Sequence, residues 1–579
     1  MSEDSEVFVP AKGYDESVGQ FTRFDPGTRT LPKGFRFGRR YAPLSHDLVF
    51  EKDTAVKLRD GVTIYTDIFR PVGEGPFPVV VSWSPYGKTS GASRLYTLLR
   101  TLVAVDQHNL SGLMKWEAVD PARWCARGYA VCNPDARGVG KSEGNIQFFG
   151  EQEGRDGYDL VEWLAGQKWC SGKVGLAGNS WLAVSQWFTA AEQPPHLTAI
   201  APWEGFSDVY RDQLVPGGIP DVAFLRLISE RLPGRNKVES PSVALGRHPL
   251  FDGYWQTKAA RIERVTVPAY VVASYTSTVH TPGTFRAWER LRGPDRWLRI
   301  HNRQEWPDFY QDDNQQDLLR FFDHYLKGFD NGWEATPRVR YSLLDLEGGD
   351  VVNRPAPRFP PPGVSATPFY LDGDARSLSV ERPAEEKATG YDAGSDKGRC
   401  EYIIRFNQET EIVGYPRLKL WVEAEGHDDM DIFVFLQKLD RHGKHLEVQN
   451  SGSHNPLLGL ITRRGTVLRY KAAPGRLRVS LRRLAPDLSS DEVPVQSFDR
   501  VEKLRPGQIV DVDIAIYPVG LLMHPGEQLR LIVAGHNLIG SPMPLGREDP
   551  AIDNHGRHIV HTGGRYESRL VLPVRGRAV

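Results

Sequence analysis

Cysteine is scarce in this chain, with four residues among 579. The four are too few and too scattered for a disulfide framework or a zinc site. They are Cys125, Cys132, Cys170 and Cys400. An excess of charge of one sign is missing as well, because 72 Lys and Arg stand against 73 Asp and Glu, a formal net charge of −1. Without a basic excess we expect no nucleic-acid partner and no anionic membrane partner.

Long hydrophobic runs are absent too. No segment approaches the roughly 18 uninterrupted apolar residues of a membrane span. The first ten residues, MSEDSEVFVP, are acidic and polar, where a signal peptide would be basic and then apolar. The hydrophobic residues nevertheless make up 40% of the chain, which is ample for large cores and excludes a disordered or fibrous protein. We expect a globular cytoplasmic protein of two or three domains.

The order of patterns along the chain predicts an arm followed by two large domains. Residues 1–45 have few apolar runs and are interpreted as an arm on the folded body. Residues 46–350 alternate β-rich runs with amphipathic stretches, which favours an α/β domain with a parallel sheet and helices on both faces. Two segments break the alternation, residues 89–120 and residues 205–262. Long insertions of this kind are usually functional lids or caps, and the second has helix-like runs.

A different pattern begins after the proline-rich linker at residues 354–363. Short alternating runs separated by turn residues follow, and long amphipathic helices are absent. Residues 351–579 therefore read as an all-β sandwich or jelly roll.

The most informative segment is residues 173–187. A β-rich run meets Gly178-Asn-Ser180, and an amphipathic helix follows. This context is typical of a nucleophile elbow, in which Ser180 exposes its hydroxyl at the carboxyl edge of the sheet. The first amide of the helix, at Trp181, would then face a developing oxyanion. The pattern departs from G-x-S-x-G because Leu182 stands in place of the second glycine.

A second candidate lies in the turn Ser84-Pro-Tyr86, after the strand predicted at residues 78–83. In a hydrolase of this type the loop at this position supplies the second oxyanion donor. Either the Tyr86 hydroxyl or a backbone N–H could serve, and a turn tyrosine without a catalytic role is the alternative.

Short motifs occur in a fixed order along nearly the whole chain. They are Leu58–Gly61, Asp67–Pro71, Ser84–Tyr86, Asp135–Gly144, Gly154–Asp159, Gly175–Trp181, Gly414–Pro416, Asp428–Phe433, Tyr517–Pro518 and Pro525–Gly526. Together they resemble the CocE/NonD hydrolases of the X-Pro dipeptidyl-peptidase (peptidase S15) group. That resemblance implies an α/β-hydrolase domain with an inserted helical cap at about residues 205–262, followed by a C-terminal jelly roll similar to galactose-binding domains.

The resemblance also implies an activity. Members are serine hydrolases that act on esters such as cocaine, on acylated β-lactam antibiotics or on X-Pro peptides. Ser180 would be the nucleophile and Tyr86 the oxyanion donor. No cofactor or metal is implied, the partner is a small-molecule substrate, and a homodimer through the β domain is a family-level expectation.

Other charged motifs have structural interpretations. Arg137, Glu143 and Asp156 are expected to brace loops around the elbow. The acidic run at Asp428–Asp431 lacks a calcium loop with its glycine and terminal glutamate, so we interpret it as the entry to a strand.

The rest of the triad is irregular. Alignment with the family on Tyr275 places Ser277 at the position of the acid, and a serine cannot stabilise an imidazolium as a carboxylate does. Glu305 stands at the histidine's position, with His301 four residues earlier.

The leading candidate for the base is His301 at the end of its strand, which would reach Ser180 through a shortened loop. In the competing interpretation the histidine is lost, and His280 from the neighbouring loop is a third candidate. If His301 is the base, Glu204 or Glu305 would supply the carboxylate.

Two classes of function follow. The leading hypothesis is a serine-dependent hydrolase or acyltransferase that acts on an ester or amide. Within enzymes, the alternative is a member with a degenerate triad that performs cyclisation, isomerisation or C–C chemistry on a carbonyl substrate. The second class is a ligand-binding protein without catalysis, which the missing acid would favour.

Overall fold

The computed structural model describes residues 5–13, 23–88, 98, 100, 103, 105–230, 232–346, 348–450, 468–540 and 550–576. The insertion expected at residues 89–120 therefore lies partly outside the described residues. Within the described ranges, no helix has the length and apolar character needed to cross a membrane.

A sheet of eleven strands forms the centre of the first half of the chain. Its strands, and two short pairs made by the first residues and the insertion, are β1 (Phe8–Pro10), β2 (Lys12–Gly13), β3 (Gly27–Leu31), β4 (Leu48–Lys57), β5 (Thr63–Pro71), β6 (Phe77–Val81), β7 (Ala130–Pro134), β8 (Cys170–Asn179), β9 (Leu197–Trp203), β10 (Pro233–Gly234), β11 (Lys237–Glu239), β12 (Ala269–Ser274), β13 (Arg296–His301), β14 (Val339–Leu343) and β15 (Val351–Ala356).

The eleven strands lie in the order β15-β14-β13-β12-β9-β8-β6-β7-β5-β4-β3. From β7 across to β14 each neighbouring pair is parallel, so the carboxyl ends of these strands meet at one edge of the sheet. At the two margins of the sheet neighbouring strands are antiparallel: β14 with β15 at one margin, and β7, β5, β4 and β3 in turn at the other. A purely parallel sheet was therefore too simple an expectation, because tight turns such as Leu58–Val62 reverse the chain between neighbours.

Helices cover both faces of this sheet, as predicted. The helices outside residues 205–262 are Pro121–Cys125, Glu151–Ala165, Trp181–Ala191, Thr281–Arg290, Glu305–Phe309 and Asp312–Lys327, and those within them are Ala223–Ser229, Pro241–Arg247 and Gly253–Gln256. In β6, Val79 and Val81 join the core that contains Leu160, whereas Val80 between them joins the core that contains Phe322. A strand buried on both faces explains why its sequence is continuously apolar instead of alternating.

Residues 205–262, the segment interpreted from the sequence as a cap and called the cap below, contain short helices and two short strands. The first residues of the chain hold it, because β1 pairs antiparallel with β11 and β2 pairs parallel with β10. Phe8 lies opposite Glu239 in the first of these pairs.

The second half of the chain is rich in β structure. Its strands are β16 (Val364–Asp372), β17 (Ser377–Ser379), β18 (Lys387–Asp392), β19 (Arg399–Arg405), β20 (Thr410–Gly414), β21 (Arg417–Glu425), β22 (Asp431–Leu439), β23 (Val448–Gln449), β24 (Arg469–Tyr470), β25 (Ala473–Arg478), β26 (Val510–Ala515), β27 (Val519–Met523), β28 (Gln528–Ala534), β29 (Arg557–Thr562) and β30 (Arg569–Arg575). Side chains alternate between buried and half-exposed along β21, as the sequence predicts. The β-rich character is thus confirmed.

The cap also packs against this β-rich half. In β22 both faces are buried, and Phe433 and Phe435 form an apolar cluster with Ile219 of the cap. Arg476 Nη1 lies 3.0 Å from Asp221 Oδ2, and Arg211 of the cap donates to the carbonyl oxygen of Gln496 at 3.0 Å. The cap is therefore fixed on two sides, by the first strands and by the β-rich half.

Candidate active site

The turn between β8 and the helix Trp181–Ala191 has the geometry of a nucleophile elbow. Ser180 adopts φ 59° and ψ −120°, in the left-handed region that non-glycine residues rarely occupy. Its backbone N–H is shared between the carbonyl oxygens of Trp203 and Glu204, at 3.2 and 3.1 Å. Because β8 lies at the centre of the parallel strands, the half-buried Ser180 stands at the carboxyl edge of the sheet.

Small residues around the elbow replace the missing second glycine. A Cβ on Gly178 would lie 2.5 Å from Leu182 Cβ, and one on Gly205 would lie 2.6 Å from Ala183 Cβ. Leu182 therefore fits because its neighbours lack side chains. The close approach that the second glycine of the motif usually allows is provided here by Gly178 and Gly205.

Two candidate oxyanion donors lie beside the nucleophile. The Trp181 amide opens the helix, so it has no acceptor within the helix, and the positive end of the helix dipole favours an anion there. The Tyr86 ring is half-buried and packs edge-on against the Trp181 indole, with ring centroids 5.9 Å apart. The structure therefore brings Tyr86, Trp181 and Ser180 into one site.

A buried network holds the loop that carries Tyr86. Lys88 Nζ lies 2.7 Å from Asp53 Oδ1 and 2.9 Å from Asp135 Oδ2. Burial opposes the charge of Lys88, but the surrounding carboxylates outweigh that effect and raise its pKa. Lys115 Nζ donates to the carbonyl oxygen of Ser84 at 2.8 Å, and burial lowers the pKa of Lys115 to about 7. These contacts fix the backbone on both sides of Tyr86.

Glu153 contacts the two tryptophans that lie next to the Tyr86 loop and the elbow. Its Oε1 accepts hydrogen bonds from the indole N–H groups of Trp83 and Trp181, each at 2.9 Å. Burial raises the pKa of Glu153 to about 7, although both indoles act against the shift.

The loop after β12 and the segment after β13 bring a histidine and a glutamate together. His280 Nε2 lies 3.0 Å from Glu305 Oε2, and Asn179 Nδ2 donates to the same oxygen at 3.2 Å. Asn179 directly precedes Ser180, so this pair lies beside the nucleophile. The His280 ring stacks on Phe206, and its buried Nδ1 has no hydrogen-bond partner among the described residues. One ring nitrogen of His280 thus remains available.

His301 forms a second pair. Its Nε2 lies 2.8 Å from Glu204 Oε1 and 3.5 Å from Asp308 Oδ2, and its Nδ1 accepts the Arg303 amide at 3.2 Å. Burial lowers the pKa of His301 to about 4, although Asp308 acts in the opposite direction. His301 is therefore neutral at ordinary pH, and its Nε2, although close to Glu204, makes no hydrogen bond of good geometry among the described residues.

Three glutamates surround these histidines. Burial raises the pKa of Glu204 well above its ordinary range, and the charge of Glu305 adds to the shift. Burial and the charge of Glu305 also raise the pKa of Glu117. Glu117 Oε1 accepts a hydrogen bond from the Trp306 indole N–H at 2.7 Å. Burial thus favours the protonated forms of Glu117 and Glu204.

Ser277, which stands where the family acid is expected, has a structural role. Its hydroxyl accepts the amide of His280 at 3.2 Å, and its carbonyl oxygen accepts the amide of Thr281 at 3.2 Å. Ser277 thus shapes the turn that presents His280.

The bracing roles expected for the charged motifs are confirmed. Arg137 binds both carboxylate oxygens of Asp156 at 2.7 Å. Glu143 Oε2 accepts the Thr63 amide at 2.8 Å.

Between the cap and the β-rich half lies a cavity of about 450 Å³. Its lining includes Thr278 and Pro282, which flank His280, together with Arg286, Phe435 and Tyr517. Ser180 and Tyr86 do not line it. The chemistry is therefore assigned from the elbow and its neighbours, and not from this cavity.

Comparison with known proteins decides the family. The model of the X-Pro dipeptidyl-peptidase (S15 family) matches residues 60–304, and the model of the X-Pro dipeptidyl-peptidase C-terminal non-catalytic domain matches residues 331–571. A crystal structure of a CocE/NonD family hydrolase from Staphylococcus aureus is 32% identical, with a TM-score of 0.85, over 95% of this chain and 97% of that one. The chain belongs to the CocE/NonD hydrolase family.

More distant relatives agree with this assignment. A protein of Mycobacterium bovis named "Putative serine esterase" is 26% identical over 83% of this chain and 89% of its own length. The cocaine esterase of a Rhodococcus species is 26% identical over 55% of this chain and 61% of its own length. The α/β-hydrolase fold, the β-rich C-terminal domain and the serine-hydrolase class predicted from the sequence are thereby confirmed.

The sequence analysis did not identify two buried glutamates beside the active site, Glu117 and Glu153. Glu117 lies in an insertion without a motif, and its positive φ of 64° could not be foreseen. Glu153 lies in the first turn of a helix, where an acid ordinarily faces solvent, and only the folded chain shows its contact with two indoles. No signal in one sequence distinguishes either from an ordinary surface glutamate.

The raised pKa of Glu153 predicts a pH-dependent stability. The folded state holds a proton that the unfolded chain releases near pH 4.5, so stability falls as pH rises from there through about 7. Glu153→Gln keeps an acceptor for the indoles and removes the ionisation. We expect the variant to gain stability over the wild type between pH 5 and pH 8, by on the order of 3 kcal/mol for the full shift.

Urea unfolding at both pH values measures this difference. Glu151→Gln is the matched control, because Glu151 lies in the same helical turn and pairs with Arg155 near the surface. Parallel loss of stability in the wild type and Glu153→Gln would contradict the prediction.

Proposed function

We propose that this hydrolase cleaves a carboxylic ester or amide of a small substrate through an acyl-enzyme on Ser180. The observation that carries the proposal is the left-handed Ser180, next to a residue whose side chain contacts the His280–Glu305 pair. A serine in this backbone conformation, between a helix N-terminus and an available imidazole nitrogen, is suited to nucleophilic attack.

The proposed base is His280, with Glu305 as the group that orients it. His280 Nε2 faces Glu305, and its Nδ1 makes no hydrogen bond with the described residues. The proposed proton transfer therefore requires the Ser180 hydroxyl to come within hydrogen-bond distance of Nδ1 when substrate binds. His301 is less suited, because its lowered pKa disfavours proton uptake and its nitrogens face Glu204, Asp308 and a backbone amide. The pair His301–Glu204 remains the alternative base and acid.

This assignment exchanges the places of acid and base. In α/β-hydrolases the chain order is serine, acid, histidine. Here the order is Ser180, His280, Glu305, with the histidine after β12 and the carboxylate after β13. The exchange explains why alignment with the family finds a serine at the acid position and Glu305 at the histidine position.

The proposed reaction has two halves. Ser180 Oγ attacks the substrate carbonyl carbon while His280 takes its proton, and the Tyr86 hydroxyl and the Trp181 amide donate to the oxyanion. His280 then returns the proton to the leaving alcohol or amine, and the acyl-enzyme forms. A water molecule, deprotonated by His280, releases the acid and restores Ser180. Glu305 stabilises the imidazolium in both halves.

Transfer of the acyl group to another acceptor would use the same first half. Non-hydrolytic chemistry and pure ligand binding are the outcomes of a negative test, since neither needs a reactive Ser180.

The cytoplasmic location and the homodimer remain proposals. All four cysteines are buried free thiols, which supports a reducing compartment. Light scattering on the purified protein tests the dimer.

Ser180→Ala is expected to abolish turnover and leave the fold intact. Loss of a serine nucleophile in such a site lowers kcat by up to about 10⁶. A fluorophosphonate probe should label the wild type on Ser180 alone, as read by peptide mass spectrometry. Ser171→Ala, at an exposed position of the same strand, is the control and should behave as the wild type. Turnover that survives in folded Ser180→Ala would exclude the acyl-enzyme.

Paired substitutions decide which histidine is the base. We expect His280→Ala and Glu305→Gln each to lower kcat on a chromogenic ester by about 10² to 10⁴. His301→Gln and Glu204→Gln should change kcat less than about tenfold in folded protein. Circular dichroism verifies folding of each variant. The reverse pattern would assign the base to His301 and the carboxylate to Glu204.

Tyr86→Phe tests the second oxyanion donor. Removal of one such donor lowers kcat by about 10² to 10³ and leaves ground-state binding nearly unchanged. Tyr158→Phe is the matched control, because that ring lies under the Arg59 guanidinium, away from the elbow. If kcat is the same in Tyr86→Phe, a backbone amide of the loop must donate instead of the hydroxyl.

A further inference from the structure

Two loops of the β-rich half bring together side chains that the hydrolytic site does not use. His427 lies in the turn between β21 and β22, and Asp553 and His555 lie in the segment before β29. One ligand atom from each lies within 4.8 Å of the others. We propose that these three residues form a binding site for a divalent transition-metal ion of the zinc type, separate from the catalytic site.

The donor set selects the class of ion. Two imidazoles and one carboxylate suit borderline ions such as Zn²⁺, whereas Ca²⁺ and Mg²⁺ prefer sets of oxygen ligands. A tetrahedral zinc ion places its ligand atoms roughly 3.3 Å apart. His555 Nε2 already lies 3.3 Å from Asp553 Oδ1. Rotation of the exposed Asp553 and His555 side chains would bring their ligand atoms closer to the half-buried His427. Water would complete the coordination of the ion.

The contact that His427 Nδ1 makes with the backbone is of a kind found in metal sites. Metal-bound histidines usually donate their other ring N–H to a carbonyl or carboxylate. His427 Nδ1 lies 3.2 Å from the carbonyl oxygen of Asp429. Donation to that oxygen leaves the lone pair on Nε2, the nitrogen available to the metal. The Asp429 amide also lies 3.3 Å from Nδ1, so metal binding would select one of two tautomers.

The backbone of the second loop is fixed, although its ligand side chains are exposed. Asp553 N–H donates to Asp431 Oδ2 at 2.9 Å. Asn554 is buried, accepts the Asp431 amide at 2.8 Å and donates to the Asp431 carbonyl oxygen at 2.9 Å. Asp431 begins β22, so both loops are attached to the same strand end. A Cβ on Gly556 would lie 2.1 Å from the carbonyl oxygen of Glu425, which shows how closely the two loops approach.

The acidic run Asp428–Asp431 leads into β22, which begins at Asp431, in agreement with its interpretation as the entry to a strand. Asp429 accepts the Ser480 hydroxyl at 2.6 Å, and Asp431 binds Arg478 through both oxygens at 2.7 Å. Asp428, the third carboxylate of the run, pairs with Lys503 at 3.1 Å, and its Oδ1 lies 4.0 Å from His427 Nε2. With these carboxylates engaged, His427 is the member of the turn that we assign to the metal. A bound ion would join the turn to the segment before β29 and stabilise the β-rich half.

The test uses full-length protein without an affinity tag, freed of metal by EDTA and dialysis. Zn²⁺ alone is titrated by calorimetry, and bound zinc is counted by elemental analysis. We expect one ion per chain, a melting temperature that rises with Zn²⁺ concentration, and tetrahedral visible bands when Co²⁺ replaces zinc.

Two variants and a control decide the site. His555→Ala and Asp553→Ala change exposed side chains, so folding should be unaffected, and each should weaken zinc binding at least tenfold. His442→Ala removes an exposed histidine of another turn and should bind as the wild type. Ester hydrolysis should be equal in all three, which separates this proposal from the catalytic one. Absence of binding up to about 1 mM Zn²⁺, or equal binding in the wild type and both variants, would overturn the proposal.

Discussion

The left-handed backbone of Ser180 is the constraint on which the rest of the site depends. A non-glycine residue in that region costs about 1–3 kcal/mol, and the surrounding structure has to hold it there. Here the Ser180 amide is shared by two carbonyl oxygens at the end of β9, and Gly178 and Gly205 allow the helix to approach the sheet. The same turn exposes the Trp181 amide. Geometry for attack and for oxyanion binding thus comes from one feature of the backbone.

Burial separates the roles of two histidine–glutamate pairs that are alike in composition. His301 is buried among charged and protonated groups, and its lowered pKa makes it a poor proton acceptor. Its contacts tie the ends of β9 and β13 together, since Glu204 follows β9. The His280 ring lies against Phe206, and its Nδ1, like Nε2 of His301, makes no hydrogen bond with the described residues. One pair therefore fits a structural role, whereas the other fits proton transfer.

The sequence predicted the parts of the molecule that depend on local pattern. The sequence pattern predicts a strand at Arg296–His301, which are the observed bounds of β13, and a helix at Trp181–Glu192, one residue longer than the observed helix. Both segments combine strong periodicity with clear ends. The antiparallel margins were missed, since a strand carries no local mark of its neighbour's direction.

The same limit applies at the active site. Ser180 and Tyr86 were found through motifs. The partners of His280 and His301 depend on where two loops lie in space, and spacing along the chain suggested His301 for the base. Glu117 and Glu153 became visible only through their contacts with indole groups in the folded chain.

The cap differs from a hinged lid in how it is attached. Strand β1 pairs with it on one side, and Phe433, Phe435 and Arg476 contact it on the other. Opening it would break main-chain pairing and expose an apolar cluster at the same time. Moving the whole cap to admit substrate and release product is therefore costly in free energy. We expect substrate and product to pass through gaps between residues that keep their positions. Access to Ser180 would then depend on the size of those gaps and not on movement of the cap.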